Sequence, residues 1–125
     1  MTSPDQPESV RPVVGVATDL LQADPFLAEM VRRLVDAVHP ERIYLYGSRA
    51  RGDARPDSDY DLLAVVASSD LPPHKRDLPA VMALVGVGAS TEAMVWTREE
   101  FDGRAGVVTS LPATILREGK LLYVA

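Results

Sequence analysis

The spacing of apolar and polar residues predicts one clear helix near the start of the chain. Between Pro25 and Val38, apolar residues recur every three or four positions and charged residues occupy the other side. Asp24 is suited to cap the first turn, proline is favoured at its start, and Pro40 ends the helix, with His39 as a surface or capping residue. We expect this helix to pack on the core through Phe26, Leu27, Met30, Val31, Leu34, Val35 and Val38.

Short runs rich in β-branched and aromatic residues, bounded by Gly, Pro, Asp and Ser, predict strands. They cover Ile43–Tyr46, Tyr60–Val66, Ala89–Thr97 and the terminal residues Leu121–Val124. Glu92 is the one charged residue in the third run. A buried, unpaired glutamate is costly, so Glu92 is expected either at the mouth of the strand or beside a cation.

A second, weaker helical pattern runs from His74 to Leu84. Its start is open, because Pro79 lies within it and suits a first turn. Gly86 and Gly88 are expected to end this helix. The pattern places four apolar residues on one side: Leu78, Val81, Met82 and Val85.

Two more helices are predicted towards the end of the chain. Thr97 and Glu100 have the spacing of a capping box for a short helix, which Gly103 and Gly106 should break. A last helix is expected over Val108–Glu118. The order of elements predicts an α/β (α+β) fold, with a small mixed sheet flanked by helices.

Length and composition point to one domain. The chain has 125 residues, of which 46% are apolar and 25% are charged, as in an ordinary globular protein. Residues 1–12, with three prolines, are expected to be a flexible tail, and residues 13–125 a single domain. Within it, residues 13–21 are compatible with a strand or with a helix start.

Composition also narrows the function. The chain has no cysteine, which excludes disulfides and zinc–thiolate sites. It has no apolar stretch long enough for a membrane helix and no signal peptide, so a cytoplasmic protein is expected. The net charge of −5 argues against direct binding to nucleic acid and favours a single nucleotide with its metal ions.

Residues 47–61, between the first two predicted strands, carry the candidate chemistry. Asp59 and Asp61 are two positions apart, so on a strand both carboxylates point to the same face. Their repulsion is relieved by a hard cation such as Mg²⁺, which is commonly held by carboxylates and substrate phosphates. Gly47 allows a sharp turn and Ser48 offers a hydroxyl and an N–H to phosphate oxygens. The charge of a polyphosphate could be offset by Arg49, Arg51 and Arg55.

At these residues the chain resembles the polymerase-β-like nucleotidyltransferase superfamily, whose signature is Gly-Ser, ten residues and Asp-x-Asp. The fuller text around Gly47–Gly52 and Ser58–Leu62 is similar to its minimal branch, the MNT-domain proteins, many of which are antitoxins of HEPN/MNT toxin–antitoxin pairs. The resemblance covers roughly residues 25–123 and implies the nucleotidyltransferase fold. It also places a third acidic residue shortly before a Thr-x-Glu-Glu-Phe-like helix start, here Thr97–Phe101, which selects Glu92. The family usually has Asp there, one methylene shorter.

The resemblance further implies roles for the site residues. Two Mg²⁺ ions would be held by Asp59 and Asp61 with the help of Glu92, and ATP would be the nucleotide donor. Ser48 and Arg49, next to Gly47, would hold the phosphates. Arg51 would either assist them or pair with Asp53 or Asp57 within the loop.

The acceptor is expected on another molecule, since the residues after about 97 leave room for only one or two more helices. We expect transfer of AMP to a side-chain hydroxyl of a HEPN toxin, in a homo- or hetero-oligomer. Two alternatives stay open: a small-molecule nucleotidyltransferase, and a non-catalytic module that neutralises its partner by contact alone.

Overall fold

A computed structural model describes residues 15–125 and places a four-stranded mixed sheet at the centre of the protein. The strands lie in the order β3-β2-β1-β4; β1 is antiparallel to both β2 and β4, whereas β2 and β3 are parallel. The strands are β1 Arg42–Tyr46, β2 Tyr60–Val66, β3 Thr91–Thr97 and β4 Lys120–Val124. The helices are α1 Thr18–Ala23, α2 Pro25–Val38, α3 Ser48–Arg51, α4 Pro73–Arg76, α5 Leu78–Ala83, α6 Arg98–Arg104 and α7 Leu111–Glu118.

The predicted mixed α+β architecture is confirmed, and α2 and β2 have the predicted bounds. Asp24 caps α2, since its Oδ1 accepts a hydrogen bond of 3.2 Å from the N–H of Leu27. His39 ends the helix in the left-handed conformation, with φ of 49°. The predicted tail lies outside the described residues, and the ambiguous segment after it becomes α1 from Thr18 onwards.

The sheet separates two apolar cores, because successive strand residues point to opposite faces. On the first face, α2 and α5 pack over inward residues such as Leu45, Leu62 and Val95. On the second face, α6 and α7 pack over Tyr44, Leu63 and Val65 through side chains such as Phe101 and Ile115. The Phe101 ring is fully buried and stacks on the Tyr44 ring, with centroids 5.3 Å apart.

Three helical predictions differ from the structure. The pattern at residues 74–84 forms two short helices that meet at Asp77, and the predicted apolar side is exposed while Ala80 and Leu84 are buried. The helix α6 continues through Gly103 to Arg104, because its capping box and the buried Phe101 hold it. The last helix begins at Leu111, later than predicted, because Ser110 caps it by accepting from the N–H of Ala113.

Both edges of the sheet have hydrogen bonds to neighbouring segments. On β3, the N–H of Val95 donates to Asp77 Oδ1 at 2.7 Å and the N–H of Thr97 donates to Glu100 Oε1 at 2.9 Å. On β4, Leu121 accepts from the N–H of Ala17 at 2.7 Å. On β3, side-chain carboxylates thus occupy two of the N–H groups through which an edge strand could pair with another chain. None of the described helices is long and apolar enough to cross a membrane.

Candidate active site

Strand register brings two of the predicted acidic residues side by side at one end of the sheet. Tyr46 of β1 lies opposite Asp61 of β2, and Asp61 lies opposite Glu92 of β3. Asp61 precedes the buried Leu63 by two positions, so its side chain is on the second face of the sheet. Glu92 is exposed and Asp61 is half-buried. Glu92 is therefore at the open mouth of β3, one of the two placements that the sequence predicts.

Asp59 stands just before β2 and completes the acidic group. Its Oδ1 accepts a hydrogen bond from the hydroxyl of Ser90, the residue before β3. Its charge also acts on Asp61, raising the pKa of that carboxyl. No signal in the sequence singles out Ser90, because its hydrogen bond to Asp59 depends on the parallel pairing of two distant strands.

The backbone of Gly47 lies directly against the Asp61 carboxylate. Gly47 has φ of 75° and ψ of −157°, a conformation open in practice to glycine alone. A Cβ atom built here would lie 3.2 Å from Asp61 Cγ and would overlap Asp61 Oδ2. Glycine is thus required twice, for the turn and for the approach of the carboxylate. Ser48 follows as the first residue of α3, a single turn within the predicted loop.

The two arginines of the signature brace the loop that contains them. The guanidinium of Arg49 donates to the carbonyls of Ser58 at 3.0 Å and Pro56 at 3.2 Å, and lies 4.0 Å from the centre of the Tyr60 ring. Arg51 pairs with Asp53 at 3.2 Å, one of the two loop partners that the sequence suggests. The phosphate-binding roles of Arg49 and Arg51 stay predictions.

Tyr60 connects this loop to the start of α2. Its hydroxyl donates to Asp24 Oδ2 at 2.7 Å, so one carboxylate holds both the helix terminus and the tyrosine beneath Arg49. Burial, and then the bond to Asp24, raise the pKa of Tyr60 to about 12. No signal in the sequence predicts the hydrogen bond between Tyr60 and Asp24, because the two residues lie on different elements.

The electrostatics of the acidic group favour a cation. Burial raises the pKa of Asp61, and the charges of Glu92 and Asp59 raise it further, while Arg51 opposes them. Burial, followed by the charges of Asp61, Glu92 and Asp77, also raises the pKa of Tyr46 to about 12. Both shifts have the sign that burial and nearby negative charge produce, and a bound cation would oppose both of them.

The donor atoms fit Mg²⁺ in kind, since Asp59, Asp61 and Glu92 offer carboxylate oxygens only. Within residues 15–125, no three acidic, histidine or cysteine side chains already converge as a complete cation cage. Binding of Mg²⁺ would thus draw on a substrate phosphate and on small movements of these side chains, which agrees with the way this ion is commonly held.

An open cleft of about 980 Å³ runs along the edge of β3. Met94 and Trp96 line it and follow Glu92 on the same face of that strand. Met94 accepts a hydrogen bond of 3.3 Å from the hydroxyl of Tyr46. The cleft also contains the buried Arg76, which pairs with Glu100. A molecule in this cleft would thus approach the acidic group along the second face of the sheet.

Similarity to solved structures supports the same fold. A toxin–antitoxin structure with AMP-PNP superposes with a TM-score of 0.58 at 21% identity, over 79% of this chain and 73% of that chain. A candidate nucleotidyltransferase from Sulfolobus solfataricus gives 0.57 at 19% identity, over 98% and 93%. A mutant of the toxin–antitoxin MntA-HpeT gives 0.54 at 16% identity, over 79% and 73%.

Sequence comparison identifies the family directly. No curated protein matches the sequence. The family profile described as "Nucleotidyltransferase domain" matches residues 27–119, which span the Gly47–Asp61 signature, all of β3 and most of the helices. This match covers well over half of the chain, and the chain therefore belongs to the nucleotidyltransferase domain family.

Proposed function

We propose that this protein is a Mg²⁺-dependent nucleotidyltransferase that transfers AMP from ATP to a side-chain hydroxyl of a HEPN toxin and thereby acts as its antitoxin. The observation that carries the proposal is the contact between the Gly47 backbone and the Asp61 carboxylate, with Glu92 beside Asp61 in the next strand. In this arrangement the turn that would receive phosphates touches the group that would hold their metal ions.

Each residue has a role in this reaction. Asp59 and Asp61 would hold Mg²⁺ with the help of Glu92, and the bound ions would supply Lewis-acid activation of the triphosphate and of the attacking hydroxyl. Gly47 leaves room for the donor to approach the backbone, and Ser48 offers its hydroxyl and N–H to phosphate oxygens. The acceptor oxygen attacks the α-phosphorus, a P–O bond to pyrophosphate breaks, and the hydroxyl proton leaves with solvent. The protein contributes position and charge.

Arg49 and Arg51 support the site by fixing the loop. Three loop carbonyls accept from Arg49, including that of Arg55 at 3.4 Å, so the turn between Gly47 and Asp59 keeps one shape. Arg51 joins this loop to α7, since its guanidinium lies 3.6 Å from Glu118. We propose that both arginines also face the negative charge of the donor, Arg51 more directly because its charge opposes the rise in the pKa of Asp61 that burial, Glu92 and Asp59 cause.

The choice of donor and acceptor draws on the similar structures. One of them contains AMP-PNP, an analogue of ATP, and two are toxin–antitoxin structures. The cleft along β3, whose lining begins at Met94 two residues after Glu92, is wide and open, which suits a loop or side chain of another protein better than an enclosed small substrate. A HEPN toxin is therefore the partner that we propose.

The test is incubation with Mg²⁺, labelled ATP and the protein encoded by the neighbouring gene. We expect wild type to label that protein, and Asp59→Asn and Asp61→Asn to reduce labelling at least about a hundredfold, because each removes a metal-binding carboxylate. Asp57→Asn is the matched control, because Asp57 is an exposed loop carboxylate close by in sequence. Labelling of small hydroxyl compounds without any protein acceptor would favour a small-molecule transferase. A firm complex without label would favour an antitoxin that acts by contact alone.

A further inference from the structure

The outer surface of α5 is apolar, although such a surface normally faces the core. Leu78, Val81, Met82 and Val85 follow the i, i+3, i+4, i+7 pattern of a buried helix face. The structure leaves them 60%, 45%, 60% and 65% exposed and buries Ala80 and Leu84 instead. We call these four exposed residues the α5 patch; three of them lie on α5, and Val85 lies two positions after its end.

The α5 patch is held in place by its neighbours. Arg33 of α2 donates to the carbonyl of Val85 at 2.9 Å and to that of Ala83 at 3.4 Å, which fixes the end of α5. The ring of Phe26, itself 46% exposed, lies against Gly88 and extends the patch beyond Val85. These apolar side chains are therefore presented on a fixed surface.

The exposed apolar area of the α5 patch is close to the apolar area that one partner buries in a standard interface. Five large apolar side chains exposed to about half of their surface present on the order of 400–500 Å², at the upper end of what a monomer usually leaves open. A standard interface buries about 800 Å² on each partner, and in homodimers about 65% of the buried surface is apolar. The patch thus matches the apolar part of one side of such an interface.

The charge around the patch permits pairing with an identical surface. Residues 78–91 contain no charged side chain. On the neighbouring helix α2, Glu29 pairs with Arg32 and Arg33, and Asp36 pairs with Arg32, so these groups balance one another. Two copies related by a twofold axis would therefore bring together apolar surfaces without placing like charges opposite each other.

The position of the patch separates it from the acceptor. The helix α5 covers the first face of the sheet, where Ala80 and Leu84 pack with Val95. Asp61 and Glu92 lie on the second face, and the open cleft lies at the edge of β3, where Met94 and Trp96 line it from that face. A protein that receives a nucleotide must reach the second face, so the apolar surface on the first face is available to another molecule.

We infer that the α5 patch joins two copies of this chain into a symmetric dimer, with the two acidic sites directed away from the shared interface. The inference does not depend on the nucleotide, the acceptor or the transfer reaction. In such a dimer both acidic sites stay open on the second face of the sheet, so each copy can engage its own partner.

The mass in solution tests the dimer. Wild type is expected at twice the 13.5 kDa of one chain by light scattering or sedimentation at high concentration. Met82→Glu and, independently, Val85→Glu should raise the dissociation constant on the order of a hundredfold, because two carboxylates would be buried without partners. Val108→Glu is the matched control, because it changes a side chain that is 74% exposed away from α5. Circular dichroism and thermal unfolding would establish that every variant folds.

Several outcomes would overturn the inference. The first is a wild type that is monomeric over the whole concentration range. The second is that Met82→Glu and Val85→Glu stay dimeric, and the third is that the control Val108→Glu dissociates as much as they do. A wild type that is monomeric alone, but loses its toxin partner on Met82→Glu, would reassign the patch to the hetero-complex. Labelling of the partner, measured in parallel, reports on the proposed function separately from the mass.

Discussion

Replacing Gly47 by alanine should inactivate the site through two effects of known size. The backbone, at φ of 75° and ψ of −157°, would be strained by about 1–3 kcal/mol with any side chain. The added methyl would overlap Asp61 Oδ2, so the carboxylate must move by roughly 1 Å, and a misplacement of that size can cost about a hundredfold in rate. We therefore expect Gly47→Ala to combine a modest loss of stability with a large loss of activity.

Gly52→Ala separates the two effects. Gly52 ends α3 with φ of 87°, and a Cβ atom built there meets nothing within 4 Å. Its replacement should therefore cost about 1–2 kcal/mol of backbone strain without displacing a carboxylate. Chemical unfolding gives the change in the free energy of unfolding, and transfer of label from ATP gives the change in activity. Both variants should be destabilised, and only Gly47→Ala should lose about a hundredfold in transfer rate.

Two results would refute this reasoning. If Gly47→Ala transferred nucleotide at the wild-type rate, the contact between Gly47 and Asp61 would not matter for the site. If both alanine variants lost activity in proportion to their loss of stability, backbone strain alone would explain the effect. Assays well below the unfolding temperature of each variant keep the fraction of folded protein equal.

Two further predictions concern the charges of the structure. Without metal, Asp61→Asn should raise the free energy of unfolding at neutral pH. Because the pKa of Asp61 is raised in the folded protein, folding favours the protonated carboxyl. The stability that the protonated carboxyl contributes is lost in wild type as pH rises through that pKa, whereas asparagine stays neutral. The advantage of the variant over wild type should shrink as pH falls through the raised pKa of Asp61 and should be absent below the ordinary aspartate pKa of about 3.9; an advantage that grew as pH fell through this range, in unfolding measurements, would refute the prediction. Glu100→Ala should destabilise the protein by about 2–4 kcal/mol, since it removes the partner of the buried Arg76 and half of the α6 capping box. Glu99→Ala, at the exposed neighbouring position, should change the free energy of unfolding by less than about 0.5 kcal/mol in the same measurement, and equal losses would contradict the assignment.

Local signals in the sequence were sufficient for much of the fold. The bounds of α2 follow from Asp24, Pro25 and an apolar stripe, and those of β2 from Tyr60 and the apolar run Leu62–Val66, with Asp61 as the one charged residue between them. The Gly-Ser and Asp-x-Asp signature brings Gly47 and Asp61 together, because both lie at the ends of one short connection, and the metal-binding role of the acidic residues stays a prediction. In these segments local propensity and tertiary packing favour the same structure.

The sequence could not predict contacts that depend on packing with distant segments. The periodicity of α5 correctly indicated an apolar side, but not that α2 and β3 would instead bury its smaller opposite side through Ala80. Arg49 could be predicted as a phosphate ligand from its position in the signature, whereas its contacts with Ser58 and Tyr60 depend on how the loop closes. Both cases need the three-dimensional path of the chain.

The parallel pairing of Asp61 with Glu92 has a consequence for how this site can vary during evolution. Gly47 lies against the Asp61 carboxylate, and a single loop joins the two residues. An insertion in that loop would separate them, so the number of residues between them must be kept. Glu92 reaches the site through the register of β3 against β2. This register does not depend on how many residues the connection at 67–90 contains. Insertions in that connection should be tolerated, whereas one extra residue inside β3 would turn Glu92 to the other face. Searches for related sites should accordingly fix the first spacing and leave the second one free.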